Sequence, residues 1–235
     1  MSSLSAAARE ALKKVSTATL TTVLFKRGLR NVFVQGVFPL NKTQKMVGEA
    51  FTLRYIPARE DLDQLGAFDG RGHPQREAIE ACPPGHVLMM DARRDASAAT
   101  GGDILMTRLM VRGAAGIVTD GGLRDTPTIE KLDFPVYCGA RSAPLNLVRH
   151  HAIDSQVPIG CGGVPVYPGD VVVGDAEGVV VIPAKLADEV AAEAAKQTEF
   201  EDWVEAKVKD GRSIFGLYPP DEKTRAEFEA WKSKR

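Results

Sequence analysis

The sequence predicts an α/β protein, a single mixed domain with helical extensions at both ends. Three observations predict it. Between residues 83 and 141 short apolar runs bounded by glycine and proline alternate with helix-like stretches, giving a β-α-β-α-β order. From 164 to 183 two valine-rich runs meet across Gly174–Gly178, a hairpin by its turn chemistry. Outside these, residues 5–27, 184–210 and 219–233 read as helices.

The elements follow in order. An N-terminal helical arm, about 1–30, holds one or two helices, with Ser16 placed to cap a second and Gly28 to stop it. The core spans about 31–185. MVGEAFTLRYIP (46–57) has the β-branched and aromatic content of a strand, and Pro57 opens a polar loop to Gly72. Pro74 starts a short helix, PQREAIEAC. In the alternating block PPGHVLMMD, AAGIVTDGG and FPVYCGA are strands, and GGDILMTRLMVRG and TPTIEKLD are helices. PGHVLMMD and PGDVVVGD echo each other as two turn-plus-strand units. The C-terminal helices, about 186–235, comprise an Ala/Glu/Lys-rich helix stopped by Gly211 and a last one over 219–233, entered through Pro219 and Pro220. Such extensions are commonly spent on subunit contacts, so an oligomer is expected.

Composition narrows the function. Thirty Lys+Arg balance 31 Asp+Glu over 235 residues, a net charge of -1, so no single-signed field draws nucleic acid or anionic lipid. The 44% hydrophobic content is that of a globular chain. No window approaches the roughly 18 apolar residues of a spanning helix, and MSSLSAAAREALKK reads as an amphipathic helix rather than a secretion signal. The expected compartment is the cytoplasm. Cys82, Cys138 and Cys161 form no CxxC pair and are read as reduced structural thiols.

Two segments carry candidate chemistry. Gly101-Gly102-Asp103 opens an apolar-periodic helix, and the free amides of Asp103, Ile104 and Leu105 at such an entry suit a small anion. Alternatively, Asp103 is an N-cap or first-turn acid and the glycines make a turn. TDGGLRDTPTIE leaves a strand at its carboxyl end and gathers Asp120, Arg124 and Asp125 around a Gly-Gly turn. Arg124 suits a carboxylate or carbonyl oxygen, and Asp125 a hard cation that keeps its waters. Equally, Asp125 or Thr126 followed by Pro127 makes a helix start. Leaving neighbouring strands at one edge, the two segments would share a cleft with anion-binding amides, one arginine and two or three carboxylates. That set suits metal-assisted reaction of a 2-oxo acid.

The pattern Asp103, twenty residues, Arg124-Asp125, within GGDILMTRLMVRGAAGIVTDGGLRD and followed by GVPVYPGDVVVGDAEGVVVIP, resembles the 4-hydroxy-4-methyl-2-oxoglutarate aldolases and regulators of ribonuclease activity A. The resemblance implies a β/β/α swivelling-domain-like fold assembling as a homotrimer or homohexamer, with sites at subunit contacts. It implies a metal-dependent pyruvate aldolase, or oxaloacetate decarboxylase, acting through a metal-stabilised enolate. Carried over, Asp125 is the ligand of Mg2+ or Mn2+ and Arg124 takes the keto oxygen. Gly102, Asp103, Ile104 and Leu105 hold the substrate carboxylate, and Asp103 a proton-relaying water. A C-terminal acid from a neighbouring subunit also belongs to the pattern; Glu199, Glu201, Asp202 and Glu205 are equivalent candidates. The regulator branch, which binds a ribonuclease, and sugar-acid dehydration are the alternatives.

Other features are set aside. DLDQLGAFDGRG mimics a calcium loop through Asp61, Asp63, Gly66 and Asp69, but Leu65 and Gly72 occupy ligand positions, so it is read as a solvated loop. His150 and His151 are assigned to the surface or an interface, and His73 and His86 are isolated. GCGGVP is a turn or bulge with Cys161 buried, and the charged face of 191–209 is solvated with Phe200 and Trp203 on its apolar side. GxSxG, GxxxxGK[ST] and GxGxxG motifs are absent from the sequence.

Overall fold

The computed structural model describes residues 4–234. The arm forms two helices, α1 (Ala6–Leu12) and α2 (Thr17–Lys26), because Ser5 and Ser16 each accept from an amide three residues on. Gly28, at φ +83°, ends the second. The core runs β1 (Phe38–Pro39), β2 (Met46–Pro57), α3 (Pro74–Ala81), β3 (His86–Asp91), α4 (Asp103–Val111), β4 (Gly116–Leu123), α5 (Thr126–Ile129), β5 (Val136–Arg141), β6 (His150–Ser155), β7 (Val171–Gly174) and β8 (Val179–Ile182). Then come α6 (Ala187–Lys209) and α7 (Glu222–Lys232). The last helix starts later than its prolines suggest, because the Asp221 side chain accepts from Thr224 N at 2.7 Å and sets the cap there.

The sheet order is β1-β5-β4-β3-β2-β7-β8. β2, β3, β4 and β5 are parallel neighbours, as the alternating block requires. The long β2 has two partners on its other edge: β7 beside its first residues and β6 beside its last. The echoed PGHVLMMD and PGDVVVGD units thus flank β2, each led by a left-handed glycine, Gly85 or Gly169.

Side-chain alternation defines the layers. On β3, Leu88 and Met90 pack with Ala78, Ile79, Met106 and Leu109 of α3 and α4. The intervening Val87 and Met89 join Val172, Val179 and Val181 in a core between the two halves of the sheet. Val171, Val173, Val180 and Ile182 face outward onto α1, α2 and α6. The β7 and β8 runs read as unbroken valine and isoleucine because both faces are covered. Truncating a fully buried Met90 or Leu109 to alanine costs about 2–5 kcal/mol at such sites. The α/β architecture with helices at both ends is the expected one.

Several expectations change. β1 is two residues long, and β6 lies in a stretch where periodicity is weak, so neither was foreseen. His150 is buried rather than on the surface: it packs against Tyr55, and its Nε2 and Nδ1 meet Ala98 O and Arg93 Nη2. Hydrogen bonding on both nitrogens is what lets an imidazole be buried. The 58–72 loop is not wholly solvated either, since the Asp63 carboxylate is buried against His151 Nδ1 at 2.8 Å. His73 packs against Phe68, the rings tilted by 51° with centroids 4.8 Å apart. The three cysteines are free and buried, and burial pushes Cys82 up to about 12 and Cys138 up to about 11. No helix among the described residues is long and apolar enough to cross a membrane.

Candidate functional site

The site is made where the 92–102 loop is laced onto the end of β4. Asp120, on β4, is buried, and its carboxylate accepts from Ala92 N at 2.6 Å, Gly162 N at 2.9 Å and Arg94 N at 3.1 Å. Burial pushes this carboxyl upward and the amides pull it back. Arg93 and Arg94 adopt left-handed backbone, φ +60° and +58°, to present these amides. Further along, Thr100 N donates to Gly122 O, Gly122 N to Ala98 O and Arg124 N to Gly101 O.

Two sequence expectations are corrected here. Gly121 and Gly122 lie inside the strand and form no turn; a Cβ on Gly121 would lie 2.7 Å from Ala92 Cβ and from Thr100 Cγ2. The absent side chains let the loop press onto the strand. Asp120 is not a third carboxylate of the cleft, because its oxygens are spent on the loop.

The lacing brings Gly102 against Arg124 and Asp125. A Cβ on Gly102 would lie 2.6 Å from Asp125 Oδ2 and 3.2 Å from Arg124 Cγ. Gly102 is the N-cap of α4 with extended backbone, so Asp103 is the first helical residue and not the cap. The α4 N-terminus offers free amides as expected, except that Ile104 N donates to Asp103 Oδ1 at 2.8 Å. The Ile104 side chain itself points to solvent.

A helix does start here, as the alternative reading has it: α5 begins at Thr126 with Asp125 at the N-cap position and Pro127 in the first turn. Asp125 is nonetheless an unusual cap, in left-handed backbone, φ +57°, with no side-chain capping bond. Its carboxylate instead meets Arg124 Nε at 3.3 Å, with both side chains nearly half exposed. A non-glycine residue held at positive φ beside a cleft is a recognised mark of functional sites.

All six residues, Gly102, Asp103, Ile104, Leu105, Arg124 and Asp125, line one cleft of about 160 Å3. It is small beside the roughly 300–1,000 Å3 of drug-sized sites and suits a compact metabolite. Residues missed from the sequence complete its wall: Phe68, Gln75 and Arg76 from the segment around α3, and Asn146 ahead of β6. Gln75 is buried and donates to Thr100 O, tying α3 to the loop that carries the glycines. Only the helix start at Pro74 hinted at this wall.

Among the described residues no three His, Cys, Asp or Glu side chains are grouped to hold a metal. Asp103 and Asp125 are hard oxygen donors on one cleft, a set that fits a hydrated divalent cation and not a fully protein-caged one. Three of the four C-terminal acids have partners within this chain: Glu199 with Lys232, Glu201 with Thr19 and Tyr218, Glu205 with Lys209.

Fold and cleft define the class: an α/β protein with an oxygen- and guanidinium-lined site outside the carboxyl ends of adjacent parallel strands. The chain belongs to the RraA-like family, Aldolase/RraA, whose model matches residues 16–181. It is 33% identical over 192 residues to a Halalkalibacterium halodurans protein bearing the provisional name 4-hydroxy-4-methyl-2-oxoglutarate aldolase, covering 81% of this chain and 84% of that one. It is similar to a Streptomyces coelicolor structure described as an unusual member of the RNase ES inhibitor RraA family, with TM-score 0.77, 30% identity, and coverage of 86% and 98%. An uncharacterized Pseudomonas syringae pv. tomato protein shares the fold, with TM-score 0.81, 24% identity, and coverage of 92% and 95%.

Proposed function

We propose that the protein is a divalent-metal-dependent carbon–carbon lyase that releases pyruvate from a 2-oxo acid, by retro-aldol cleavage of a 4-hydroxy-2-oxo acid, by decarboxylation of oxaloacetate, or both. The observation that carries the reading is the close approach of Gly102 to Arg124 and Asp125, which puts amides, a guanidinium and two carboxylates on one small cleft.

The residues divide the work. The α4 amides at Asp103 and Leu105, backed by the helix dipole, hold the substrate carboxylate, with Gly102 and Ile104 flanking them. The Arg124 guanidinium faces the keto oxygen and stabilises the charge that gathers there as the bond breaks. Asp103 accepts the hydroxyl proton, directly or through one water; the carbon–carbon bond opens, the electron pair enters the enolate of pyruvate, and a proton returns to its methyl carbon. Asp125, with Asp103 on the same cleft, would hold Mg2+ or Mn2+. Such an ion would supply Lewis-acid polarisation of the 2-oxo group. The helical extensions, which pack on the sheet yet leave Phe25 and Val208 exposed, support assembly as a homotrimer or homohexamer, and the balanced charge supports a cytoplasmic small-molecule role with no nucleic-acid or membrane partner.

The relatives named as aldolases support the catalytic reading. A second reading, a protein that binds and restrains a ribonuclease, is favoured by the likeness to the Streptomyces coelicolor structure. The separating experiment is pyruvate release from oxaloacetate and from 4-hydroxy-4-methyl-2-oxoglutarate by EDTA-treated protein, with and without added Mg2+ or Mn2+. Metal-restored turnover supports the lyase. No turnover from a folded protein with either ion supports the regulator.

A further inference from the structure

The cleft contains a cation that the proposed chemistry leaves unused. Arg76, on α3, lines the cleft, and its Cζ lies 4.7 Å from the centroid of the Phe68 ring, which lines it too. Among the described residues Arg76 has no carboxylate partner, whereas Arg124 is paired with Asp125, Arg108 and Arg112 with Glu80, and Arg141 with Glu130. A guanidinium resting on an aromatic face is held in place without being neutralised, ready for a planar anion.

A second feature of the same wall points to the same kind of ligand. Asn146 is 5% exposed and lines the cleft, and its buried Nδ2 has no hydrogen-bond acceptor. A buried donor left unmade costs free energy until an acceptor arrives. Gln75, the neighbour of Arg76, spends its amide on Thr100 O, so the α3 wall is fixed against the glycine loop. This wall therefore brings one uncommitted guanidinium and one unsatisfied amide donor, and no carboxylate, to a cleft whose Asp103 and Asp125 lie on other elements.

We infer that Arg76, supported by Phe68 and joined by Asn146, is the specificity-determining residue of the cleft: it receives the distal carboxylate of the diacid substrates proposed above, on the part of the molecule that departs from the pyruvyl unit. The inference rests on the lyase reading for its kinetic test, but its binding test does not. The α4 amides and Arg124 are occupied by the 2-oxo acid unit, so a second anionic group needs its own partner, and Arg76 is the guanidinium of the cleft still free to provide it. Loss of such a charged hydrogen-bonding partner is worth roughly 10- to 100-fold in affinity.

The test compares 4-hydroxy-2-oxoglutarate with 4-hydroxy-2-oxopentanoate, in which a methyl group replaces the distal carboxylate. Wild type is expected to favour the diacid in kcat/KM by roughly 100-fold. Arg76→Met, which keeps an apolar side chain over Phe68, is expected to erase most of that preference through KM for the diacid while leaving the monoacid within about 2-fold. Arg76→Lys is expected to recover part of it. In parallel, calorimetry with 2-oxoglutarate and 2-oxobutyrate in the presence of Mg2+ should show tighter diacid binding that Arg76→Met removes, with an unchanged melting temperature. Equal loss for diacid and monoacid, or no diacid preference in wild type in either assay, overturns the inference. Diacid-selective binding lost in Arg76→Met, from a protein with no turnover, leaves the inference standing and removes the lyase reading.

Discussion

Gly102 and Asp125 are packed so closely that a single methyl group on the first would sit 2.6 Å from a carboxylate oxygen of the second. Twenty-two residues separate them in the chain, and the contact exists because the 92–102 loop is tied to β4 by the Asp120 carboxylate and by backbone bonds at Thr100, Gly122 and Arg124. The site is thus a product of loop lacing as much as of its own residues.

Gly102→Ala follows directly. Its backbone is extended, φ -137°, so alanine brings no backbone strain, and the contact is with a side-chain end that can move. The melting temperature is expected to change little while Asp125 is displaced and kcat/KM falls about 100-fold, the scale of a misplacement near 1 Å. Equal activity in steady-state kinetics would show that the contact does not matter.

Asp125→Asn tests whether the carboxylate is chemical or structural. It makes no capping bond, and asparagine tolerates the left-handed backbone, so stability should stay within about 0.5 kcal/mol by urea unfolding. Metal-dependent turnover should vanish. Full activity in Asp125→Asn, together with a loss near 1 kcal/mol in Asp125→Ala, would mark it as a helix cap after all.

Asp120→Ala should behave in the opposite way. Three backbone N–H groups lose their buried acceptor, and unfolding free energy should drop by about 2–4 kcal/mol, with activity falling because Gly101 and Gly102 lose their register. Unchanged stability in urea would refute the lacing role.

Acid should weaken the fold through His150. Burial, aided by Arg93, holds its imidazole below the usual range, while the unfolded chain protonates near about pH 6.5. The unfolded state then binds more protons, so stability is complete above about pH 6.5 and is lost as pH falls toward the depressed folded value. His73 adds in the same direction, through its own burial. The urea midpoint should be lower at about pH 5.5 than at about pH 7.5, and His150→Phe should narrow the gap; an undiminished gap would exclude His150.

The strands and helices that end at the site were legible because GGDILMTRLMVRG and AAGIVTDGG carry strong periodicity and glycine punctuation, and Asp103, Arg124 and Asp125 lie within their boundaries. Asp120 was misjudged because sequence proximity to Arg124 says nothing about which side of a strand faces the cleft and which faces the loop. Arg76 and Asn146 carry no local signal at all: one sits on an ordinary amphipathic helix and the other in an aperiodic connection, and only the pairing of β6 with β2 and the docking of α3 bring them to the cleft. His150 was misplaced for the same reason, since its burial depends on β6 lying against Tyr55.

Stabilisation of the enolate of pyruvate is the central property proposed for this cleft, and it can be measured without knowing the departing fragment. Proton NMR of pyruvate in D2O, with the protein and Mg2+ or Mn2+, measures loss of the methyl signal by exchange. Protein- and metal-dependent exchange is expected, and Asp125→Asn and Arg124→Lys should abolish it, because neither an amide nor a point ammonium reproduces the original group. Exchange no faster than with the free ion, from folded protein, would contradict it.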